Sequence, residues 1–221
     1  MENKHLEAAR LIQEGKIEEA ATLLNELIEE NPNDALAYVN FGHLLSIIGD
    51  KERAIIFYNR AIEFDSKLAT AYYGAGNTFF DQEKYEEAIE KFKAAIHYGL
   101  DEADVYFMLG LCYYNLRLLP YALANLQTAT EKNPNDIESL FQYGLTLAQL
   151  EQVDEAVRVF EQVVTKKEDH ADAYYNLGVA YAFKEDAQKA INMFDKALKI
   201  QPDHLLAGNG KKQLEALLSE K

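Results

Sequence analysis

Five histidines and one cysteine are the side chains of this 221-residue chain most suited to acid–base, nucleophilic or metal chemistry. His5, His43, His97, His170 and His204 are scattered and never fall at metal-ligand spacing. Cys112 lies among apolar residues in LGLCYY and reads as a small packed side chain. A lone cysteine allows no internal disulfide, which points to a reducing compartment, and the cytoplasm is the expected location. GAGN at Gly74 and GNG at Gly208 sit in helical context with no preceding strand, so neither reads as a phosphate loop. Asp104, Glu138 and Asp172 recur at one spacing. Each falls in the first turn of a helix, where the dipole favours an acid. No catalytic residue, no metal site and no cofactor is expected.

The remaining candidates carry the chemistry of recognition rather than reaction. Tyr73, Phe107, Phe141 and Tyr175 follow one another at intervals of 34 residues, with Val39 one interval earlier. Amides stand beside them: Asn40, Gln142 and Asn176 one residue after Val39, Phe141 and Tyr175, and Asn77 four after Tyr73. Tyr114 and Phe80 form a further pair at the same interval. An amide donates and accepts at once. Aromatic faces supply apolar anchors of the kind that dominate interface energy.

The interval of 34 belongs to the whole chain. Gly42, Gly76, Gly110, Gly144 and Gly178 keep it, and so do Ala20, Ala54, Ala88, Ala122, Ala156 and Ala190. Six modules follow without insertion or deletion: 1–34, 35–68, 69–102, 103–136, 137–170 and 171–204, with a remainder at 205–221. In the last module Tyr174, Leu177, Gly178 and Tyr181 have the i, i+3, i+4, i+7 spacing of one helix face. Ala190, Phe194 and Ala197 repeat that pattern after a polar break. NPND and QPDH then supply a proline to end one helix and a cap for the next. Each module is therefore a hairpin of helix A and helix B. The mid-helix glycine, which costs about 1 kcal/mol against alanine, is explained if small residues at positions 8, 20 and 27 let the two helices approach closely, with the aromatic at position 24 filling the gap beside them.

These residues resemble the tetratricopeptide repeat, a 34-residue pattern of W-x2-L-G-x2-Y, then A-x3-F-x2-A, then P. Tyr174, Leu177, Gly178, Tyr181, Ala190, Phe194, Ala197 and Pro202 match it with tyrosine in place of tryptophan. Partial copies run from Tyr38 to Ala61 and from Tyr106 to Pro134. The first module is degenerate, with Lys4, Glu7 and Ala8 in the signature slots, as a terminal module without a neighbour should be. Ser66, Leu100 and Glu168 replace the proline elsewhere, and less sharp junctions are expected there. The remainder, with Leu214, Leu217 and Leu218 on one stripe and Lys211, Lys212, Glu215 and Glu220 off it, is expected to be a C-terminal capping helix weakened at its start by Gly208 and Gly210.

The resemblance implies an all-α, right-handed α-solenoid whose A helices line a concave groove, with positions 2, 5, 6, 9, 12 and 13 of each module facing it. It places Asn40, Tyr73, Asn77, Phe107, Tyr114, Phe141, Gln142, Tyr175 and Asn176 there, and implies a scaffold that binds a peptide segment or helix of a partner protein. The groove positions of modules two to six hold no lysine or arginine at positions 2, 5 or 6, so a clamp for a C-terminal carboxylate is not expected. A net charge of −15 argues against nucleic acid and anionic lipid as partners. MENKHLEAAR lacks an apolar core, so no signal peptide is expected, and no run is long enough to span a membrane. A second reading stays open: a structural module that self-associates or sits permanently in a larger complex. Leu118 and Leu119 form an apolar turn where other modules carry charge, although a monomer is the expected state.

Overall fold

The computed structural model describes residues 2–219. Glu220, expected off the C-terminal stripe, lies outside the described residues, as do Met1 and Lys221. Among the described residues there are thirteen α-helices and no strand. They are α1 (Glu2–Gln13), α2 (Ile17–Glu30), α3 (Ala35–Ile47), α4 (Lys51–Phe64), α5 (Ala69–Phe80), α6 (Tyr85–His97), α7 (Ala103–Asn115), α8 (Leu119–Lys132), α9 (Ile137–Gln149), α10 (Val153–Lys166), α11 (Ala171–Phe183), α12 (Ala187–Ile200) and α13 (Leu205–Ser219). Two compact units result, Met1–Leu116 and Arg117–Lys221. Inside each, helices pack on their chain neighbours, and odd-numbered helices also touch the next odd-numbered one (α3 on α5, α11 on α13). That is the contact pattern of a helical solenoid, in which every module relies on the next to cover its apolar face.

The turn inside each hairpin is built the same way. Position 15 of every module is left-handed: Gly15, Gly49, Glu83, Arg117, Glu151 and Glu185 all have φ between 58° and 84°. After Gly15, Gly49, Glu83, Glu151 and Glu185 the following N–H reaches back five residues, as from Lys16 to Leu11 O, Lys84 to Phe79 O and Asp186 to Tyr181 O, at 2.9–3.0 Å. This closure satisfies carbonyls that a helix end leaves open. Between modules the A helices start on side-chain caps. Asp34 accepts from Ala37 N at 3.1 Å, Asp136 from Glu138 N at 3.1 Å, and His170 Nδ1 from Ala173 N at 3.2 Å.

The proline-free junctions differ from expectation. Those at Ser66 and Glu168 have the same four-residue form as the junction at Pro32, with Asp65 N bonded to Ala61 O and Lys167 N to Val163 O. Local backbone bonds therefore shape the turn without help from the ring. Only the junction at Leu100 departs: α6 ends at His97, and Gly99 at φ 102° adds a residue to the connection.

Glycine at position 8 lies where helix A meets the aromatic of helix B. A Cβ on Gly42 would come 2.9 Å from the Tyr58 ring, and on Gly76 and Gly144 2.7 Å from Phe92 and Phe160. Phe92 and Phe160 are completely buried, and each ring so placed contributes about 1.5–3 kcal/mol, more than the glycine costs in helix propensity. The first module solves the same contact differently, pairing Ala8 with Leu24, both fully buried. In α13 the packing stripe is Ala207, Gly210 and Leu214 against α12, rather than Leu214, Leu217 and Leu218. Gly210 comes within 3.0–3.3 Å of Phe194 at a built Cβ, so this glycine serves close approach. Leu217 and Leu218 stay exposed.

Candidate functional site

In the first unit, α3 and α5 line a cleft of about 460 Å³. Asn40, Tyr73 and Asn77 line it, with His43, Ile47 and Asp81. The positions come from neighbouring A helices, and the periodic stripe is what brings them to one face. The depth has a local cause. Gly74 stands where Asn40, Gln142 and Asn176 stand in their own modules, and a Cβ there would run into the ring of Tyr58. Tyr58 is the one tyrosine at position 24, where other modules carry Leu or Phe. Its ring fills the floor and is almost wholly buried.

A chain of hydroxyls lies along that floor. Thr78 Oγ1 donates to Gly74 O at 2.9 Å, and Ser46 Oγ lies 2.9 Å from Thr78 Oγ1. Thr78 has spent its one proton, so Ser46 is the donor to Thr78. Tyr58 hydrogen-bonds Ser46 in turn, and burial pushes its phenol up to about 12. Burial also raises the Tyr73 phenol, which the Asn77 side chain partly offsets. Asn77 Oδ1 is buried and accepts from no donor. His43 sits in enough protein that desolvation lowers its pKa, which keeps the ring neutral at pH 7.

The other expected residues are arranged differently. Phe107 and Tyr114 stand half-buried on α7. Phe141 leans into its own hairpin, its centroid 4.6 Å from His170 and 5.9 Å from Phe160. Gln142 Nε2 donates to Glu138 Oε1 at 3.1 Å, and Asn176 Nδ2 to Asp172 O at 2.8 Å. The Tyr175 ring lies tilted 5.2 Å from that of His204 and, with Val179, Leu206 and Gln213, lines a cleft of about 470 Å³ between α11 and α13. Asn176, Val179 and Phe183 line a smaller one of about 100 Å³ against α9. The expected set thus gathers at two places, around Asn40–Tyr73–Asn77 in the first unit and around Tyr175–Asn176 in the second.

Sequence reasoning passed over Ser46, Tyr58, Gly74, Thr78 and Asp81. The signal for them was the coincidence of a tyrosine at position 24 with a glycine at position 6 of the next module. Leu118 and Leu119 prove to be the cap position and first residue of α8, with Leu118 exposed and Leu119 half-buried. Cys112 is fully buried, which raises its thiol to about 12. Among the described residues no group of three or more His, Cys, Asp or Glu is placed to hold a metal ion, and no helix is long and apolar enough to cross a membrane.

Comparison with known proteins agrees with this arrangement. Family models described as tetratricopeptide repeat match residues 171–204, 73–137, 23–56 and 125–158, and one described as TPR repeat matches 144–183. A solved structure titled as that of YrrB, "a TPR protein with an unusual peptide-binding site", is 47% identical, with a TM-score of 0.81 over 86% of this chain and 97% of that one. A structure of MamA is 25% identical, with a TM-score of 0.70 over 73% of this chain and 94% of that one. The pilF product of Pseudomonas aeruginosa shares the fold at 18% identity, with a TM-score of 0.80 over 97% and 96%. No curated protein matches the chain.

Proposed function

The chain belongs to the tetratricopeptide-repeat family, whose members are protein-interaction scaffolds, and on that premise we propose that its A-helix face binds a peptide segment or helix of a partner protein. The observation that carries this reading is the α3–α5 cleft, where Asn40, Tyr73 and Asn77 meet around a buried floor. Asn40 and Asn77 supply amides for a main chain, and the Tyr73 ring offers apolar surface beside them. Six repeats at 1–34, 35–68, 69–102, 103–136, 137–170 and 171–204, with 205–221 as a cap, are the proposed organisation. Phe107, Tyr114, Phe141, Gln142, Tyr175 and Asn176 extend the proposed face. The role is non-catalytic, in the cytoplasm, and needs no cofactor.

Selection from a displayed peptide library tests this reading. Binders are expected, and Asn40→Ala and Asn176→Ala should each weaken them while leaving the melting temperature within a degree or two. Binders indifferent to both variants but lost on Glu52→Lys with Arg60→Glu, on the outer surface of α4, would overturn the assignment of the face. A second reading, self-association, is favoured by one feature: Leu205, Leu206, Leu217 and Leu218 are all exposed on α13. A concentration-dependent dimer in sedimentation, lost on Leu206→Asp with Leu217→Asp, would support it.

A further inference from the structure

The α3–α5 cleft has a one-sided chemistry. The hydroxyls along its floor are engaged with protein: Thr78 Oγ1 donates to Gly74 O, Ser46 Oγ to Thr78, and Tyr58 hydrogen-bonds Ser46. What remains unmatched is an acceptor, because Asn77 Oδ1 is buried without a donor. A buried acceptor in that state is costly until a donor reaches it. Asp81, at the C-cap of α5, is the one carboxylate lining the cleft. Lys51 does not neutralise it fully. Its Nζ donates to the Asp81 backbone oxygen at 2.7 Å and stays 4.0 Å from Asp81 Oδ2, whose side chain is 56% exposed. The walls between these groups are apolar, formed by Val39, Ile47 and the Tyr73 ring.

An occupant must therefore combine an apolar stem, several donors and a positive charge. We propose that the cleft is a pocket for a cationic side chain, the arginine or lysine of a bound protein segment, with its stem along Tyr73 and Ile47 and its head at the Asp81 carboxylate beside the Asn77 amide. Long cationic side chains bury their stems in this way while the charge keeps polar company. Gly74 makes the room: any side chain there would have to displace the Tyr58 ring or fill the cleft. The net charge of −15 favours the encounter of the chain with a basic partner. This inference rests on the reading that the A-helix face binds protein segments, and it adds the class of residue the face selects.

Nuclear magnetic resonance titration with three small probes tests it: N-acetyl-arginine N-methylamide, the isosteric but neutral citrulline derivative, and the glutamate derivative. The arginine probe should shift the amide resonances of Gly74, Asn77 and Asp81 saturably, and bind about fivefold more tightly than citrulline, as expected for a partly exposed charge pair. Asp81→Asn should erase that difference, and Asn77→Leu should weaken both probes. Both variants lie on an exposed or half-buried helix surface, and unchanged circular dichroism confirms that they fold. Equal binding of arginine and citrulline to the unmodified protein, or tighter binding of glutamate, overturns the cationic assignment and leaves the binding face standing. If library peptides bind near Tyr175 and Asn176 while no probe moves Gly74, the pocket alone is refuted. Absence of any peptide binding on either unit removes the face and the pocket together.

Discussion

Gly178 faces the ring of Phe194 so closely that a Cβ added to it would lie 2.5 Å from Cε1. The residue that looks weakest for a helix is therefore the one that lets α11 and α12 meet. Gly178→Ala would gain about 1 kcal/mol in helix propensity, but the methyl must displace a ring that is 2% exposed and cannot swing into solvent. Overpacking of this kind costs about 1–3 kcal/mol. Gly178→Ala is thus expected to lower stability by about 1 kcal/mol, and Phe194→Leu in the same chain to recover part of it, as the natural Ala8–Leu24 pair does. Denaturant melts of the two single variants and the double variant read the coupling directly. A stabilising Gly178→Ala would refute the contact.

The left-handed turn residues lead to the opposite kind of change. Glu83 and Glu185 adopt φ of 59° and 61° with a Cβ in place, whereas Gly15 and Gly49 do the same work without one. The αL conformation costs a non-glycine residue about 1–2 kcal/mol, and glycine gives back part of that in chain entropy. Glu83→Gly and Glu185→Gly should each stabilise the fold by about 0.5–1 kcal/mol. A lowered melting temperature in both variants would show that the glutamate side chains make compensating contacts.

Much of this was legible in the spacing. An interval of 34 fixes which residues are equivalent, and equivalence places helices, packing glycines and turns together, because each module repeats the same buried contacts. The candidate site was less legible for a physical reason. A periodic pattern reports what the modules share, while a cleft arises where one module departs from the others. The α3–α5 cleft depends on Gly74 and Tyr58 acting together across a module boundary, and neither breaks a rule alone. The rings of Phe141 and Tyr175 teach the same lesson. Sequence places them on a common stripe, but His170 and His204, at the last position of their own modules, draw both rings into ring–ring contacts. Truncation at Tyr175 therefore disturbs stability as well as any bound partner, and Asn40 and Asn176 are the cleaner probes.

His204 holds α13 at its start. Its Nδ1 accepts from Ala207 N at 3.2 Å, its Nε2 lies 3.2 Å from Asp172 Oδ1 on α11, and its side chain is 5% exposed. Acceptance at Nδ1 requires the proton on Nε2, which is the donor that Asp172 takes. One ring thus caps the helix and ties it to its neighbour. His204→Ala loses both bonds, and a lost cap alone costs about 1 kcal/mol. Faster amide exchange confined to α13 is expected, with α9 and α10 unchanged. His204→Asn, which restores the cap without the bond to Asp172, should recover part of the protection. Uniform loss of protection along the chain would instead mark α13 as integral to a single cooperative unit.

His170 makes the same cap one module earlier, and its ionisation gives stability a pH dependence. Burial lowers its pKa from the ordinary 6.5, Lys167 adds to the effect, and Asp172 and Glu138 oppose it. His43 is shifted in the same direction by burial. The unfolded chain therefore binds these protons more readily than the folded one, so their contribution is complete above about pH 6.5 and is lost as pH falls through the folded values. Protonation at Nδ1 would also remove the acceptor that caps Ala173. Asp154 and Asp186, held low by hydrogen bonds from Lys184 and Lys189, act in the same sense only below their ordinary value of 3.8. The melting temperature should accordingly fall between pH 7.5 and 5.5, before the carboxylates titrate. Asparagine caps a helix well and does not titrate, so His170→Asn should keep the stability at pH 7.5 and flatten the decline. A decline of unchanged slope in that variant would show that His170 takes no part in it.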